Sequence, residues 1–237
     1  MSITRTYQMM TYTGWMVTNN VATWAEARDA TTATNGYGAY SFLTVASTKY
    51  GRVSALYNCS RGFLVTRFSN SNPENENVFQ GMNAPFSGEI ESARLYVTRR
   101  SGAGDAVYLV QSHVHRASQE ENFANVFFPD FDPAGGDSMV LLSSDVNTSG
   151  IELGSWSLNA RGLELLQNSF AGNSIFGSLI PNDFAMALVT FADLNDVEPV
   201  NTSNYCAFWG ATAILPASRP YLEITYKDPT VFFGTNF

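Results

Sequence analysis

The sequence predicts an all-β protein, a single antiparallel β-sandwich of the jelly-roll type with one or two short helices and extended N- and C-terminal arms. Apolar and polar residues alternate with period 2 along much of the chain, whereas the 3.6-residue spacing of amphipathic helices is scarce. Polar segments rich in Asn, Ser, Pro and Gly separate the predicted strands, as in antiparallel sandwiches. A length of 237 residues suits one large β domain with its own buried core.

The clearest predicted strand covers residues 90–98. Ala93, Leu95 and Val97 share one face, and the residues between them are larger or polar, so this strand is expected to be buried on one side. Residues 106–111 are interpreted as its antiparallel partner, because the intervening residues 100–105 contain turn-forming Gly, Ser and Asp.

Three further strands are predicted. Residues 61–68 form one, and residues 221–226 form the last, entered through Pro220. Residues 184–191 are apolar at nearly every position, which predicts a strand buried on both faces at the centre of a sheet.

Two short helices are predicted. Asn159 can cap a helix over residues 160–167, which Gly162 should limit to one or two turns, and Asn20 can cap a helix over residues 21–28. In the absence of repeats or low-complexity linkers, the expected organisation is an N-terminal arm over 1–27, a sandwich over 28–226 and a C-terminal arm over 227–237.

Composition narrows the classes of partner. The formal net charge of −8 disfavours nucleic acid and anionic membranes, which attract basic surfaces. The longest apolar run, residues 184–191, is too short to span a bilayer, and no secretory signal is expected at the N-terminus. Cys59 and Cys206 are predicted to be free, buried thiols, with a disulfide left open as the alternative.

The two chain ends are rich in aromatic residues. Phe232, Phe233 and Phe237 lie in the last eleven residues, and Trp15 and Trp24 lie near the start. Such rings either pack back on the sandwich of the same chain or dock on a neighbouring subunit as interface anchors. Eleven Arg against two Lys is a bias that also favours assembly, since Lys is depleted at stable interfaces.

One histidine pair resembles a metal motif. His113 and His115 would share one face of a strand, with Glu120 nearby, as in the His-x-His motif of cupins. The chain has no third His and lacks the glycines that flank that motif. A metal site with three protein ligands is therefore disfavoured, and an exposed pair at a strand end is expected.

Two acidic segments resemble cation loops. Asp130, Asp132 and Gly135 match the start of a calcium loop, but Leu141 stands where the bidentate Glu should be. The second segment contains Asp193, Asn195, Asp196 and Glu198. Plain turns are favoured for both, and no cofactor is predicted.

No catalytic constellation emerges from the sequence. The chain has no Gly-x-Ser-x-Gly elbow, and neither cysteine lies in a catalytic context. Trp156 and Trp209 adjoin predicted strands and are expected in the core, although Trp and Tyr rings can also form platforms for sugars. The sequence therefore predicts a protein that is not an enzyme.

Five motifs in order resemble the DNRLRE-type jelly-roll domains, which are related to carbohydrate-binding modules. The matching stretches are residues 29–38, 61–68 with 90–97, 154–156, 185–188 and 219–226. The chain departs from the family at Phe68-Ser69, where the family has Phe-Asp, and in the long loop that follows. The resemblance implies a binding or structural role, without catalysis, on bacterial surface proteins or tailed-phage particles.

We therefore expect a non-enzymatic structural protein of a bacteriophage virion, made in the bacterial host cytoplasm. Its leading role would be capsid decoration or cement, with attachment to the major capsid protein, other virion proteins and sister copies. The expected contact residues are Trp15, Trp24, Phe232, Phe233 and Phe237. The alternative is a tail or fibre receptor-binding module that recognises a host-surface carbohydrate.

Overall fold

The structure of the chain is a computed structural model. It describes residues 2–8, 12–37, 41–51, 54–67, 89–103, 106–112, 139–147, 152–170, 183–200 and 204–227. Within these ranges the chain forms eleven β-strands. They are β1 (Ser2–Gln8), β2 (Tyr12–Val21), β3 (Asn35–Tyr37), β4 (Phe42–Tyr50), β5 (Leu56–Arg67), β6 (Ile90–Ala103), β7 (Val107–Gln111), β8 (Leu153–Ser157), β9 (Asp183–Thr190), β10 (Tyr205–Trp209) and β11 (Tyr221–Lys227). The helices are α1 (Trp24–Arg28), α2 (Ala160–Phe170) and α3 (Phe191–Leu194), with a 3-10 turn at Pro216–Ser218.

All pairings between these eleven strands are antiparallel. One path runs β1-β11-β6-β10-β4-β5-β2-β3, while β8 pairs with β6, and β9 lies between β5 and β7. The prediction of an all-β, antiparallel, sandwich-like fold is thereby confirmed. None of the helices in the described ranges has the length and apolar character needed to cross a bilayer.

β5 is the strand at which the layers separate. One edge pairs with β2, while the other edge pairs first with β4 over residues 56–60 and then with β9 over residues 62–67. β4 and β9 must therefore diverge near Gly62, where a Cβ atom would lie 2.5 Å from Leu43 Cδ1. The missing side chain lets Leu43 and Val45 of β4 lie close over β5.

The larger core fills the interior of the sandwich. Leu43, Leu95, Leu109 and Leu188 bring four different strands into it, and Trp156 is fully buried among them. The Trp156 indole N–H donates to the Val107 carbonyl at 3.3 Å, so the only polar atom of this side chain has a partner.

A second core lies on the opposite face of β5 and β9. Phe63 and Val65 point into it from β5, and Ala187 and Val189 point into it from β9. Met186 and Leu188, which alternate with them, point into the first core. The prediction that residues 184–191 form a strand apolar on both faces is confirmed, except that Phe191 begins α3.

Helix α1 covers the second core. Its N-cap is Thr23, whose side chain accepts from the Glu26 backbone N–H while the Glu26 carboxylate accepts in return, forming a capping box. The predicted cap at Asn20 is wrong, because Val21 still belongs to β2 and Asn20 adopts a left-handed φ of 58°. The reciprocal bonds with Glu26 are available only to a residue three positions earlier.

Other predictions have mixed outcomes. Asn159 does cap α2, accepting from the Gly162 N–H at 2.9 Å, but the helix has eleven residues and exceeds the expected one or two turns. Residues 107–111 pair with β9 and not with β6, because β6 continues to Ala103 and pairs there with β10. Cys59 and Cys206 are free and buried, as predicted, and they lie in different cores.

The N-terminal segment differs from the predicted arm over 1–27. β1 pairs with β11 along its whole length, with Ser2 opposite Lys227, and β2 pairs with β5. Both are integral strands of the sheets, so the sandwich does not begin at residue 28. Apart from Lys227, which ends β11, the predicted C-terminal arm lies outside the described residues, as do His113, His115, Glu120, Asp130, Asp132 and Gly135.

Candidate ligand-binding groove

An open groove of about 470 Å³ crosses the outer face formed by β2, β5, β4 and β10. Its lining is aromatic, hydroxylic and amidic. The lining residues are Trp15, Val17, Asn19, Thr44, Ala46, Thr48, Tyr50, Asn58, Ser60 and Tyr205. Three strands from the first third of the chain and β10 from its last part therefore build one concave surface.

Strand alternation decides which side chains reach the groove. On β4, Leu43 and Val45 point into the first core, so Thr44 and Ala46 point outward. Ser60 of β5 and Tyr205 of β10 both lie opposite Ala46, one from each neighbouring strand. Directly opposed residues lie on the same face of a sheet, so these three side chains form one transverse row.

Aromatic rings form the walls. Trp15 stacks on Phe42 with 4.8 Å between ring centroids and an interplanar angle of 26°. Tyr205 keeps 40% of its surface exposed. Rings held at the rim of a depression offer flat apolar faces to a ligand while their polar atoms stay near water.

The floor of the groove carries amides and hydroxyls that are held in place. The Asn58 carboxamide oxygen accepts from the Asn20 N–H at 2.8 Å, and its amide donates to the Tyr50 hydroxyl. The Ser60 hydroxyl donates to the Thr44 carbonyl at 3.0 Å. These bonds fix the orientation of Asn58, Tyr50 and Ser60 before any ligand arrives.

Two polar side chains in the groove have unused hydrogen-bonding capacity. Thr48 is 4% exposed, and its hydroxyl has no hydrogen-bond partner in the described part of the chain. The Asn19 side chain, which is half-buried, likewise makes no hydrogen bond to the described residues. A buried hydroxyl without a partner costs about 1–3 kcal/mol, so a small rotation of Thr48 toward a polar ligand would be favourable.

The chemistry of this surface is stacking and hydrogen bonding. Among the described residues that line it, none carries a carboxylate, an imidazole or a thiol. No group of His, Cys, Asp and Glu in the described ranges could hold a metal ion. The groove therefore suits a polar, uncharged ligand with apolar faces.

The reverse face of β5 has the opposite character. The Arg61 guanidinium binds both carboxylate oxygens of Asp193 at 2.7 Å, and both side chains are almost wholly buried. Burial lowers the pKa of Arg61, but the neighbouring Asp193 carboxylate raises it. The net result is a raised pKa. Burial also raises the pKa of the Cys59 thiol well above its usual range, which keeps it protonated and unreactive.

The second acidic segment serves internal ion pairs. Asp193 is paired with Arg61, and Glu198 accepts from the Lys49 ammonium at 2.6 Å. The Thr190 hydroxyl accepts from the Asp193 N–H and caps α3. Side chains of the same chain therefore already bind both carboxylates, Arg61 that of Asp193 and Lys49 with Tyr57 that of Glu198.

The predicted contact residues fall in three different places. Trp15 lies in the groove wall. Trp24 corrects the prediction, because this first residue of α1 is 7% exposed and packs in the second core, where a partner cannot reach it. Phe232, Phe233 and Phe237 lie outside the described residues.

The two tryptophans that were expected in the core have different outcomes. Trp156 is buried as expected, whereas Trp209 is only half-buried and lies on the outer face of β10.

Sequence reasoning missed Tyr50, Asn58 and Tyr205 as site residues. The available signal was in β4, where Phe42, Thr44, Thr48 and Tyr50 alternate with core positions and form an outward row of rings and hydroxyls. Comparison of the sequence with protein-family models and with curated proteins finds no match. A function for this chain must therefore be argued from its residues.

Proposed function

We propose that this chain is a non-enzymatic binding protein that holds a carbohydrate in the groove of β2, β5, β4 and β10. The observation that carries the proposal is the combination of ring walls, Trp15 and Tyr205, with a floor of oriented amide and hydroxyl groups. This is the alternative role, a tail or fibre module for host-surface glycan, and the groove supports it better than the cement role.

A pyranose ring has the two properties that the groove matches. Its C–H groups form apolar faces that stack on Trp and Tyr rings, and its hydroxyls point outward around the ring edge. Trp15 and Tyr205 can take the apolar faces, while Asn19, Asn58 and Thr48 can exchange hydrogen bonds with the hydroxyls. The openness of the groove at the surface would let a polysaccharide chain pass through without an end being required.

The experiment is binding of the purified full chain to an array of bacterial surface glycans, followed by titration calorimetry on the best ligand. Trp15→Ala and Tyr205→Ala should each weaken binding by about tenfold or more, as removal of a central aromatic anchor does. Tyr221→Ala is the matched control, because Tyr221 stacks on Tyr96 away from the groove and should leave binding unchanged. Equal losses in all three variants would contradict the proposal.

A second candidate role is attachment to a virion as a decoration or cement protein. It is favoured by Ile214 and Leu215, which are 91% and 66% exposed and adjacent in the segment between β10 and β11. Neighbouring apolar side chains held in water are typical of a surface that another protein covers. Ile214→Ser/Leu215→Ser, or removal of residues 228–237, should release the protein from particles if this role is correct.

A further inference from the structure

Arg100 occupies an unusual position on the strand beside the groove face. In the pairing of β6 with β10, Arg99 lies opposite Phe208 and Ser101 lies opposite Ala207, so Arg100 has no opposite residue. It is the extra residue of a β-bulge. Arg100 continues the outward-facing, even-numbered positions of β6, and the bulge turns Ser101 to that same face. Bulges are frequent beside binding sites.

The Arg100 side chain lies over the aromatic residues that continue the groove. The guanidinium carbon lies 4.2 Å from the centroid of Phe42 and 5.2 Å from that of Trp209. Phe42 in turn stacks on Trp15 in the groove wall. Arg100 is therefore held at the rim, one ring away from the groove, with its orientation set by two cation–π contacts.

The charge of Arg100 is not neutralised within the described part of the chain. Its side chain is exposed, and it forms no ion pair or hydrogen bond with any described residue. By contrast, the Arg94 guanidinium on the same strand donates to the Ser157 hydroxyl at 2.7 and 3.0 Å, and that of Arg61 is paired with Asp193. A stacked guanidinium leaves its in-plane N–H groups free to bind an oxyanion in a bidentate manner.

We propose that the groove selects an acidic polysaccharide, with a neutral sugar against Trp15 and the carboxylate of a neighbouring sugar on Arg100. This inference rests on the proposed carbohydrate function and specifies its ligand class. None of the described residues that line the groove is charged, so Arg100 at its rim sets the preference. Because the whole chain carries a net charge of −8, long-range attraction of an anionic glycan is excluded and the contact must be local.

The test compares each uronate-containing oligosaccharide with its carboxyl-reduced form, which keeps the sugar and removes the charge. Wild-type protein should bind the acidic form about tenfold more tightly, the range of one charge-assisted contact. Arg100→Ala should abolish that difference and leave affinity for the reduced form unchanged. Arg100→Lys should restore only part of it, because Lys keeps the charge but lacks the bidentate fork.

Arg94→Ala is the matched control, an exposed-face arginine on the same strand that should not alter the ratio. A sulfated analogue identifies whether the anion site accepts other oxyanions. If wild-type protein binds reduced and acidic forms equally, or if Arg100→Ala weakens both equally, the inference is wrong while carbohydrate binding through Trp15 still stands. If no glycan binds, both proposals fail.

Discussion

The two faces of β5 show how one strand can serve two opposite purposes. Asn58 and Ser60 point to the open groove, whereas Cys59 and Arg61, which alternate with them, point to the core closed by α1 and α3. The groove face is uncharged and open to water. The covered face holds a charge pair, and that pair is tolerable there only because Asp193 and Arg61 satisfy each other.

The difference between the two faces of β5 indicates where a substitution should leave the stability of the fold unchanged. A side chain on the covered face has lost its water and depends on its protein partners. A side chain on the groove face can exchange a protein contact for water at little cost. We therefore expect substitutions on the covered face to reduce the free energy of unfolding and those on the groove face to reduce ligand affinity.

The largest effect is expected from Asp193→Asn. The substitution keeps the volume of the side chain but leaves the buried Arg61 cation without a counter-charge, which costs about 3–5 kcal/mol. Urea unfolding measures the loss. Asp196→Asn is the control, since Asp196 is exposed, lies 3.7 Å from Arg28 and adopts a left-handed φ that Asn tolerates. Equal destabilisation by both would refute the contrast.

The tryptophans give the next comparison. Trp24→Ala removes a ring that is 7% exposed and should lower the free energy of unfolding by about 3–5 kcal/mol. Trp15→Ala removes a half-buried ring stacked on Phe42 and should lower it by only about 0.5–1.5 kcal/mol. Thermal or urea unfolding of the two variants measures both losses. A larger loss of stability for Trp15→Ala than for Trp24→Ala would contradict this prediction.

A smaller effect is expected where the two layers separate. Gly62→Ala would place a Cβ atom 2.5 Å from Leu43 Cδ1 and 3.2 Å from Val45 Cγ2. Because Leu43 is fully buried, it has little room to move, and the overpacking should cost about 1–3 kcal/mol. An unchanged urea midpoint would show that the layers can spread at this point.

The smallest effect concerns pH. Hydrogen bonds from Lys49 and then from Tyr57 lower the pKa of Glu198 from its ordinary value of 4.5. Its stabilising contribution is therefore present above that value and is lost as the pH falls through the lower pKa of the folded state. Glu198→Gln should reduce the dependence of unfolding on pH in that acidic window and change nothing near pH 7 beyond the loss of the pair.

The pH dependence of ligand binding should differ from the pH dependence of unfolding. Since the groove lining has no carboxylate or imidazole, ligand affinity should stay constant between about pH 5 and pH 8. A strong pH dependence of binding in that range would point to a residue outside the described lining.

Local pattern predicted the strands well and their partners less well. Ala93, Leu95 and Val97 share the core face as expected, and residues 184–190 are buried on both faces of their strand. Both features could be predicted because the pattern that indicates them lies within a single strand. The predicted pairing of residues 106–111 with β6 is wrong. A turn between two strands favours a hairpin, but pairing energy with β9, brought from far along the chain, decided the arrangement.

The groove could not be predicted as a unit. Trp15, Asn58, Thr48 and Tyr205 come from four strands whose order in the sheet is not their order in sequence. The pattern of each strand shows which residues face outward but not which strands become neighbours. The outward direction of Arg100 follows from the alternation of β6, but nothing in that strand shows that Phe42 and Trp209 will lie beneath its guanidinium.

The pairing of β1 with β11 has a consequence for synthesis. β1 can close its ladder only after β11 has left the ribosome, since Ser2 lies opposite Lys227. Until then the nascent chain presents open edges on β1 and β6, the kind of surface to which other chains attach. Productive folding of this half of the sandwich should therefore wait for the synthesis of β11, and a chain truncated before Tyr221 should aggregate.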